Sequence, residues 1–322
     1  MASLADLLSM IAENTRRTGL PLPAPKEAMY SWARELGIPG EGEVYLYTGG
    51  LYQLVPYINS LVRQLEGLEG RRVTGRLALK LAKAVSRVLD LSKIARPDPS
   101  EVEYSNSVLR AVTKLLRAAG VSYAYLYEDD GYSGILLYDL GLVEEFSRHA
   151  QNVYSRLRNR GVRKIITIDP HTTYALRQLY PKYIDGFDIE VTNYLELLAE
   201  KLDKGELVFS RRDRGELVIH DPCYYARFEE ILDEPRRLLQ AAGYKVREPR
   251  RTRKLTYCCG GPVEAISPSL SKRIAETRVE ELREYSTRIV TLCPICYANL
   301  TRVAKGVEIR DIALYLLDAL EG

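Results

Sequence analysis

Short apolar runs alternate with helical patterns along most of the chain. In the C-terminal half, three such runs predict strands, at residues 217–219, 244–246 and 289–292. The helical pattern after the first run has its apolar positions at Phe228, Ile231, Leu232, Leu238 and Leu239. We expect Pro235 to divide this helix and Gly243 to end it. Residues 269–285 predict another helix, and one more begins beside Cys296. Alternating strands and helices predict a mainly parallel sheet with helices on both faces.

Three segments of the first half recur in the same order in the second half. They are residues 115–120 and 238–243, residues 165–172 and 289–296, and residues 189–191 and 307–309, the last pair each leading into an amphipathic helix. This recurrence predicts an α/β fold of two duplicated lobes, each a mainly parallel sheet flanked by helices. We expect a helical segment over 1–39, the first lobe over 40–205 and the second lobe over 215–322.

Composition and charge narrow the class of protein. The 322 residues are 46% hydrophobic and 28% charged, which is typical of a globular protein. The net charge of +3 is too balanced for a nucleic-acid-binding surface. No apolar run reaches the roughly 18–20 residues that a membrane span needs, and Asp6 and Glu13 interrupt the apolar N-terminal stretch, unlike a signal peptide. We therefore expect a cytoplasmic protein, or one held at a membrane only through a partner subunit.

All five cysteines lie in the last 100 residues, as Cys223, Cys258, Cys259, Cys293 and Cys296. Cys223 and Cys293 each follow a predicted strand, at the sheet edge where ligands bind in open α/β folds. Cys258 and Cys259 precede Gly260 and Gly261, on a turn where the backbone can approach a bulky inorganic group. The motif Cys293-Pro294-Ile295-Cys296 opens a helix, whose free N–H groups favour thiolates. The five sulfur atoms can therefore face one pocket.

The number and spacing of these cysteines favour an iron–sulfur cluster over the alternatives. Five thiolates in one pocket need compensating positive charge, which a metal supplies. Zinc takes four ligands, typically as two CxxC-like pairs, and this chain has a single CxxC motif. Zinc stays the main alternative. Redox disulfides are a further but less favoured alternative. Five cysteines would leave one thiol unpaired, and clustered cysteines in a reducing compartment are more often metal ligands.

The same residues resemble a known family. His220-Asp221-Pro222-Cys223 with Arg227, then Pro235-Arg236, Cys258-Cys259-Gly260-Gly261 and Cys293-Pro294-Ile295-Cys296, are similar to the cysteine-rich CCG domain. This family includes the B and D subunits of heterodisulfide reductase and the iron–sulfur subunits of glycolate and lactate oxidases. The resemblance implies that the five cysteines hold a non-cubane [4Fe–4S] cluster.

Two further residues of this lobe are candidates for roles beside the cluster. His220 could be a hydrogen-bond donor to a cluster sulfur, an additional ligand, or an ordinary histidine at the end of a strand. Arg227 could offset the negative charge of the cluster or be a solvated helix residue.

The first lobe resembles a CCG domain without its cysteines. Gly50 aligns with Cys223, Asp129-Asp130-Gly131 with Cys258-Cys259-Gly260, and Asp169 and Thr172 with Cys293 and Cys296. One hypothesis is a hard-metal site formed by Asp129, Asp130, Asp169 and His171. The simpler interpretation, which we favour, is that Asp169 caps a helix and Asp129-Asp130 forms a turn.

These observations predict a redox subunit with one [4Fe–4S] cluster, which transfers electrons or reduces a disulfide or related sulfur substrate within a larger complex. The chain has no GxGxxG motif after a strand and no ferredoxin motif, so its electrons would come from a ferredoxin-like or flavoprotein partner. Two alternatives stay open: a non-catalytic docking module stabilised by zinc or a cluster, and a thiol oxidoreductase using Cys293 and Cys296.

Overall fold

The protein contains two four-stranded sheets. The computed structural model describes residues 4–69, 96–210, 212–264 and 266–321. The first sheet consists of β1 Tyr45–Tyr47, β2 Ala124–Tyr125, β3 Lys164–Thr167 and β4 Glu190–Asn193. The second consists of β5 Glu216–His220, β6 Lys245–Arg247, β7 Arg288–Thr291 and β8 Glu308–Asp311.

Both sheets are parallel throughout and have the same strand order. The first runs β2-β1-β3-β4 and the second β6-β5-β7-β8. In the first sheet Tyr47 at the end of β1 pairs with Thr167, and in the second His220 at the end of β5 pairs with Thr291. The predicted α/β fold of two duplicated lobes is confirmed. The shared order also places Gly50 and Cys223 at equivalent positions, three residues after β1 and β5.

Helices connect the strands and cover the sheets. They are α1 Leu4–Thr18, α2 Leu51–Glu69, α3 Pro99–Ala118, α4 Ile135–Asp139, α5 Val143–Asn159, α6 Pro170–Tyr174, α7 Tyr180–Tyr183, α8 Tyr194–Asp203, α9 Asp233–Ala241, α10 Pro268–Arg283, α11 Pro294–Val303 and α12 Ile312–Glu321. Two π-helical turns, Ala175–Leu179 and Tyr225–Glu229, and five 3₁₀ turns, Lys26–Met29, Ser31–Leu36, Tyr127–Asp129, Arg253–Leu255 and Gly261–Val263, complete the described elements.

The helix starts follow from local sequence. Asn193 caps α8 by accepting a hydrogen bond from the Leu195 N–H, and the Glu196 carboxylate accepts one from the Asn193 N–H, which together form a capping box. Asp169 caps α6, which begins at Pro170, where a missing N–H costs nothing. None of the described helices has the length and apolar character needed to cross a membrane.

The helix predicted around Pro235 differs from the observed one. The chain breaks at Glu230, whose φ of +55° is left-handed, and Pro235 lies in the first turn of α9. Proline is tolerated there because the first N–H groups of a helix have no intrahelical partner. Phe228, expected on the buried face, is 50% exposed. Gly243 follows the end of α9 with a φ of +87°, as predicted.

The two lobes pack into one apolar core. Buried side chains from both sheets and from α1, α3 and α12 contribute to it. Across the lobes, the rings of Tyr104 on α3 and Tyr297 on α11 stack with centroids 4.0 Å apart. A second core cluster, confined to the second lobe, includes Cys259, Cys293 and Cys296.

Candidate metal centre

The five cysteines come from three separate segments of the second lobe. Cys223 follows β5, and Cys293 follows β7 and is the N-cap residue of α11, which contains Cys296. Cys258 and Cys259 lie between the 3₁₀ turns Arg253–Leu255 and Gly261–Val263. Since β5 and β7 are parallel neighbours, the segments after them begin at the same edge of the sheet. All five cysteines are free; Cys223 and Cys258 are half-buried and the other three are buried.

The thiol groups form one connected set centred on Cys259. Cys258 and Cys296 both hydrogen-bond to the Cys259 sulfur, and these contacts lower the pKa of Cys259 well below its usual value. Cys296 also hydrogen-bonds to Cys293. Burial, followed by the nearby charges of Cys259 and Cys293, raises the pKa of Cys223 to about 12. Five thiols in this volume cannot all ionise unless positive charge is present, so the arrangement suits a metal centre.

His220 lies at the end of β5, against these thiols. A ring nitrogen of His220 and the sulfur atoms of Cys259 and Cys296 all lie within 4.8 Å of one another. The other ring nitrogen, Nδ1, accepts a hydrogen bond of 3.1 Å from Nε of Arg278 on α10. Burial, opposed by the contact with Cys259, lowers the pKa of His220. Within the part of the chain that the structure describes, Nε2 has no nitrogen or oxygen partner, so this buried polar atom has only the cysteine sulfur atoms to face.

Arg278 is the residue that sequence reasoning missed. It is fully buried and is held by Glu281 Oε2 and by the Arg251 carbonyl oxygen, each 2.9 Å away. Nothing in the pattern of α10 distinguishes an arginine that faces the core from the solvated arginines of the same helix. Only the fold shows it, because α10 packs against β5.

The turn after Cys259 needs glycine for a reason other than the predicted one. At Gly260, where φ is +90°, an added Cβ would lie 2.6 Å from the Ser271 carbonyl oxygen. At Gly261 it would lie 2.3 Å from Ile295 Cγ2 and 3.5 Å from Cys259 Sγ. The two glycines thus let the turn pack against α10 and α11, and the Gly260 N–H lies 3.3 Å from Cys258 Sγ as a donor.

Arg227 connects two of the cysteine-bearing segments. Its side chain is exposed, and its guanidinium donates to the carbonyl oxygens of Lys254 at 3.2 Å and Thr256 at 2.6 Å. It thereby joins the turn that follows Cys223 to the segment that precedes Cys258. Its charge also opposes the upward shift in the pKa of Cys223. Arg227 is therefore placed to stabilise the half-buried edge of the centre.

The first lobe also contributes a side chain to this centre. His171, at the start of α6, hydrogen-bonds to Cys293, and its ring centroid lies 4.4 Å from that of Tyr224. Burial opposes protonation of His171, but Cys293 and the carboxylates of Asp139 and Asp169 raise its pKa to about 9. Tyr224 hydrogen-bonds in turn to Asp139. No sequence pattern predicts this contact, because it arises where the two lobes meet.

The structure does not bring together the four residues of the hypothetical hard-metal site. No three of Asp129, Asp130, Asp169 and His171 form a set of ligand atoms within 4.8 Å of one another in the described ranges. Asp129 is partly exposed and pairs with Arg160 at 3.6 Å. Asp130 accepts hydrogen bonds from the Thr48 N–H, the Thr48 hydroxyl and the Tyr125 hydroxyl. Asp169 caps α6 through the N–H groups of His171 and Thr172. Capping and turn formation describe these aspartates better.

The space equivalent to the cysteine pocket is filled in the first lobe. A Cβ at Gly50, the counterpart of Cys223, would lie 2.3 Å from Met29 Cε. A Cβ at Gly49 would lie 2.1 Å from the hydroxyl oxygen of Thr172, the counterpart of Cys296. Met29 and Thr172 therefore occupy the space that a side chain at Gly50 or Gly49 would need, and the two lobes are chemically different despite their common topology.

Comparison with known proteins agrees with this geometry. Residues 217–301 match the family model of the cysteine-rich domain, CCG. The chain is similar to the probable iron-sulfur-binding oxidoreductase FadF of Bacillus subtilis, with 32% identity over 211 residues that cover 64% of this chain and 30% of that protein. It is equally similar to the EtfAB:quinone oxidoreductase of Syntrophomonas wolfei, with 32% identity over 230 residues, 66% of this chain and 32% of the relative.

A third relative is the D subunit of the dihydromethanophenazine:CoB–CoM heterodisulfide reductase of Methanosarcina mazei. It is 28% identical over 201 residues, which cover 59% of this chain and 48% of that relative. The chain thus spans about a third to a half of the length of these relatives. Residues 217–301 thus match the cysteine-rich CCG domain family, and the chain that carries them is similar to iron–sulfur oxidoreductase subunits.

Proposed function

We propose that this chain is an iron–sulfur redox subunit that carries one [4Fe–4S] cluster in its second lobe. The observation that carries the proposal is the convergence of five free cysteines, from three segments, on a volume that also contains Nε2 of His220. The proposed ligands are Cys223, Cys258, Cys259, Cys293 and Cys296. By the family resemblance the cluster is of the non-cubane type.

The residues around the cysteines suit an electron-transfer role. A bound cluster supplies electrons and iron with an affinity for sulfur ligands. His171, from the first lobe, donates a hydrogen bond to Cys293, and Arg227 holds together the segments at the half-buried edge. That edge, where Cys223 and Cys258 lie, is the side on which we place the contact with a redox partner or with a sulfur substrate.

The relatives support a partner-dependent role. They are named as an EtfAB:quinone oxidoreductase and as one subunit of a heterodisulfide reductase. We propose a ferredoxin-like or flavoprotein subunit as electron donor. If the substrate is a disulfide, its reduction to two thiols consumes two electrons from that partner and two protons from solvent. Transfer of electrons to a further subunit is the other role that the same centre can perform.

We propose the division of the chain into a helical segment over 1–39, a structural lobe over 40–205 and a cluster-bearing lobe over 215–322. The common strand order of the two sheets and the filled space beside Gly50 support it. For location we propose the cytoplasm, with membrane association through a partner subunit as the alternative.

Metal and sulfide analysis of anaerobically purified protein tests the proposal. The expected protein is brown and contains about four iron atoms and matching acid-labile sulfide per chain. Cys296→Ser should remove most of the iron and the chromophore. The matched control is Thr172→Ser, at the equivalent position of the first lobe, which should keep both. Iron-free protein, or an unchanged chromophore in Cys296→Ser, would contradict the proposal.

A zinc-stabilised docking module is the second candidate. It is favoured by one observation, that a ring nitrogen of His220 and the sulfur atoms of Cys259 and Cys296 lie within 4.8 Å of one another, as the ligands of a zinc ion do. In that case the same analysis gives colourless protein with one zinc ion per chain and no labile sulfide.

A further inference from the structure

We propose that His220 is a hydrogen-bond donor to a sulfur atom of the metal centre and not a metal ligand, because Arg278 fixes its tautomer. The proposal rests on the proposed metal centre for its acceptor. It decides between the roles that the sequence leaves open for this histidine, and it gives a function to a buried arginine that none of the motifs includes.

The tautomer follows from the contact between the two side chains. A guanidinium group has only N–H donors and no acceptor. Arg278 Nε lies 3.1 Å from His220 Nδ1, so Nδ1 must present its lone pair. In a neutral imidazole with a free lone pair on Nδ1, the proton is on Nε2. The structure therefore assigns an N–H group to the nitrogen that faces the cysteines.

Arg278 cannot easily turn away from this contact. Its side chain is fully buried, and Nη1 donates to Glu281 Oε2 and to the Arg251 carbonyl oxygen. Rotating the guanidinium would separate the buried charge of Arg278 from Glu281, which would keep its other ion pair with Arg251. A buried charge that loses its partner strongly destabilises the fold. His220 is equally confined, since it is 1% exposed and lies at the end of β5. Both members of the pair are thus held in one geometry.

An N–H group at Nε2 cannot bind a metal ion, but it needs an acceptor, because a buried donor without a partner is unfavourable. Thiolate ligands and inorganic sulfide are the acceptors that an iron–sulfur centre presents on this side, where Cys259 and Cys296 lie. Hydrogen bonds to these sulfur atoms stabilise the more negative, reduced state, so we expect His220 to raise the reduction potential.

Two variants separate a donor from a ligand. In His220→Gln the amide nitrogen retains an N–H near the position of Nε2, and in His220→Leu the donor is lost. Both should keep the iron content of the wild-type protein. The reduction potential should fall in His220→Leu and stay close to that of the wild type in His220→Gln. Loss of iron in His220→Leu, to the level of Cys296→Ser, would overturn the proposal.

Pulsed electron paramagnetic resonance of the wild-type protein avoids any variant that fails to fold. With ¹⁵N-labelled histidine and D₂O exchange, we expect a weak nitrogen coupling and an exchangeable deuterium coupled to the cluster. A strong coupling from directly bonded nitrogen would overturn the assignment.

Loading with Co²⁺ distinguishes a failure of the proposed function from a failure of the tautomer assignment. If the purified protein contains zinc and no cluster, the proposed function fails, and Co²⁺ is then loaded into metal-free wild-type and His220→Leu proteins. If the visible spectra of the two Co²⁺-loaded proteins are identical, His220 is not a ligand of the metal ion, and the tautomer assignment is supported. A changed ligand-field spectrum in His220→Leu would overturn it.

Discussion

The hydroxyl group of Tyr52, on α2 of the first lobe, donates a hydrogen bond of 2.7 Å to Asp311 Oδ2 at the end of β8 in the second lobe. An equivalent contact joins a tyrosine of the second lobe to the first lobe. Tyr225 of the second lobe accepts a hydrogen bond of 2.7 Å from Asn193 Nδ2 at the end of β4. Each lobe thus inserts a tyrosine that reaches the last strand of the other, so the repeat extends to the way in which the lobes pack.

Removing the Tyr52 hydroxyl should destabilise the protein. In Tyr52→Phe, Asp311 Oδ2 loses this donor in a fully buried site, and we expect a loss of about 1–3 kcal/mol. Tyr225→Phe is the matched control and should cost less, because Asn193 Nδ2 still donates to Thr173 Oγ1 at 2.9 Å. Chemical denaturation of both variants measures the difference. Equal losses would show that the two contacts do not differ in the way the hydrogen bonds indicate.

Ionisation of Asp311 should lower the free energy of unfolding as the pH rises. Burial raises its pKa from 3.8 to about 6, although hydrogen bonds from the Ala313 N–H and from Tyr52 oppose the shift. The folded state therefore binds this proton more tightly, and that stabilisation is lost as the pH rises from about 4 to about 6. In Asp311→Asn, the fall in unfolding free energy between pH 4 and pH 7 should be smaller, by up to about 3 kcal/mol. An unchanged pH profile would contradict the assignment.

Asp221, two residues before Cys223, should have the opposite pH dependence. Burial raises its pKa, but the hydrogen bonds from Arg236 outweigh this and leave the pKa below its usual 3.8. Its stabilisation is present above about pH 4 and is lost as the pH falls through the lowered pKa. Arg236 Nη1 and Nη2 lie 2.8 and 2.9 Å from the two carboxylate oxygens, and both residues are buried.

Asp221→Asn should therefore cost about 1–3 kcal/mol at neutral pH, since the buried Arg236 loses one of its two carboxylate partners and keeps only the partly exposed Glu248. The matched control is Asp203→Asn, which breaks the exposed pair with Arg237, the neighbour of Arg236 on α9. That change should cost no more than about 1 kcal/mol. Thermal and chemical denaturation at pH 7 compare the two. A small loss in Asp221→Asn would show that the buried pair is not needed.

Much of the fold can be predicted from the sequence, because strand-forming runs and helix ends are encoded by local residue patterns. The runs at 217–219 and 289–292 lie within or overlap β5 and β7, and Gly243 ends α9. The approach of the five cysteines is also predictable, because the segments after parallel strands share one edge. In contrast, Arg278 and the placement of His171 depend on how helices and lobes pack, for which the sequence has no local pattern.

The filled first-lobe space can be tested at two glycines of similar conformation. Gly50 and Gly120 have φ values of +73° and +69°, so alanine at either should cost about 1–2 kcal/mol from the left-handed backbone alone. A Cβ at Gly120 meets no atom within 4 Å, whereas one at Gly50 lies 2.3 Å from Met29 Cε. Gly50→Ala should therefore cost about 1–3 kcal/mol more than Gly120→Ala in chemical denaturation. In the Gly50→Ala protein, Met29→Ala should recover part of that excess; equal costs at the two glycines would contradict the packing.

His171, a residue of the first lobe, should raise the reduction potential of the proposed cluster. In His171→Ala the hydrogen bond to Cys293 is lost, so we expect a lower reduction potential with little loss of iron. His149→Gln is the control, because that buried histidine of the same lobe contacts the Tyr132 carbonyl oxygen instead of a cysteine. Redox titration of the two variants followed by absorption spectroscopy provides the measurement. A shift that is equal in both would point to a general effect of the lobe.

The contact between Met29 and Gly50 makes the difference between the lobes hard to reverse. Met29 belongs to the N-terminal segment, outside the repeated part of the chain, and its Cε lies 2.3 Å from the place of a Cβ at Gly50. A single substitution that places a cysteine at position 50 would meet an occupied space and a left-handed backbone before any metal could bind. The two lobes thus keep the same strand order, while the position equivalent to Cys223 has room for a side chain in only one of them.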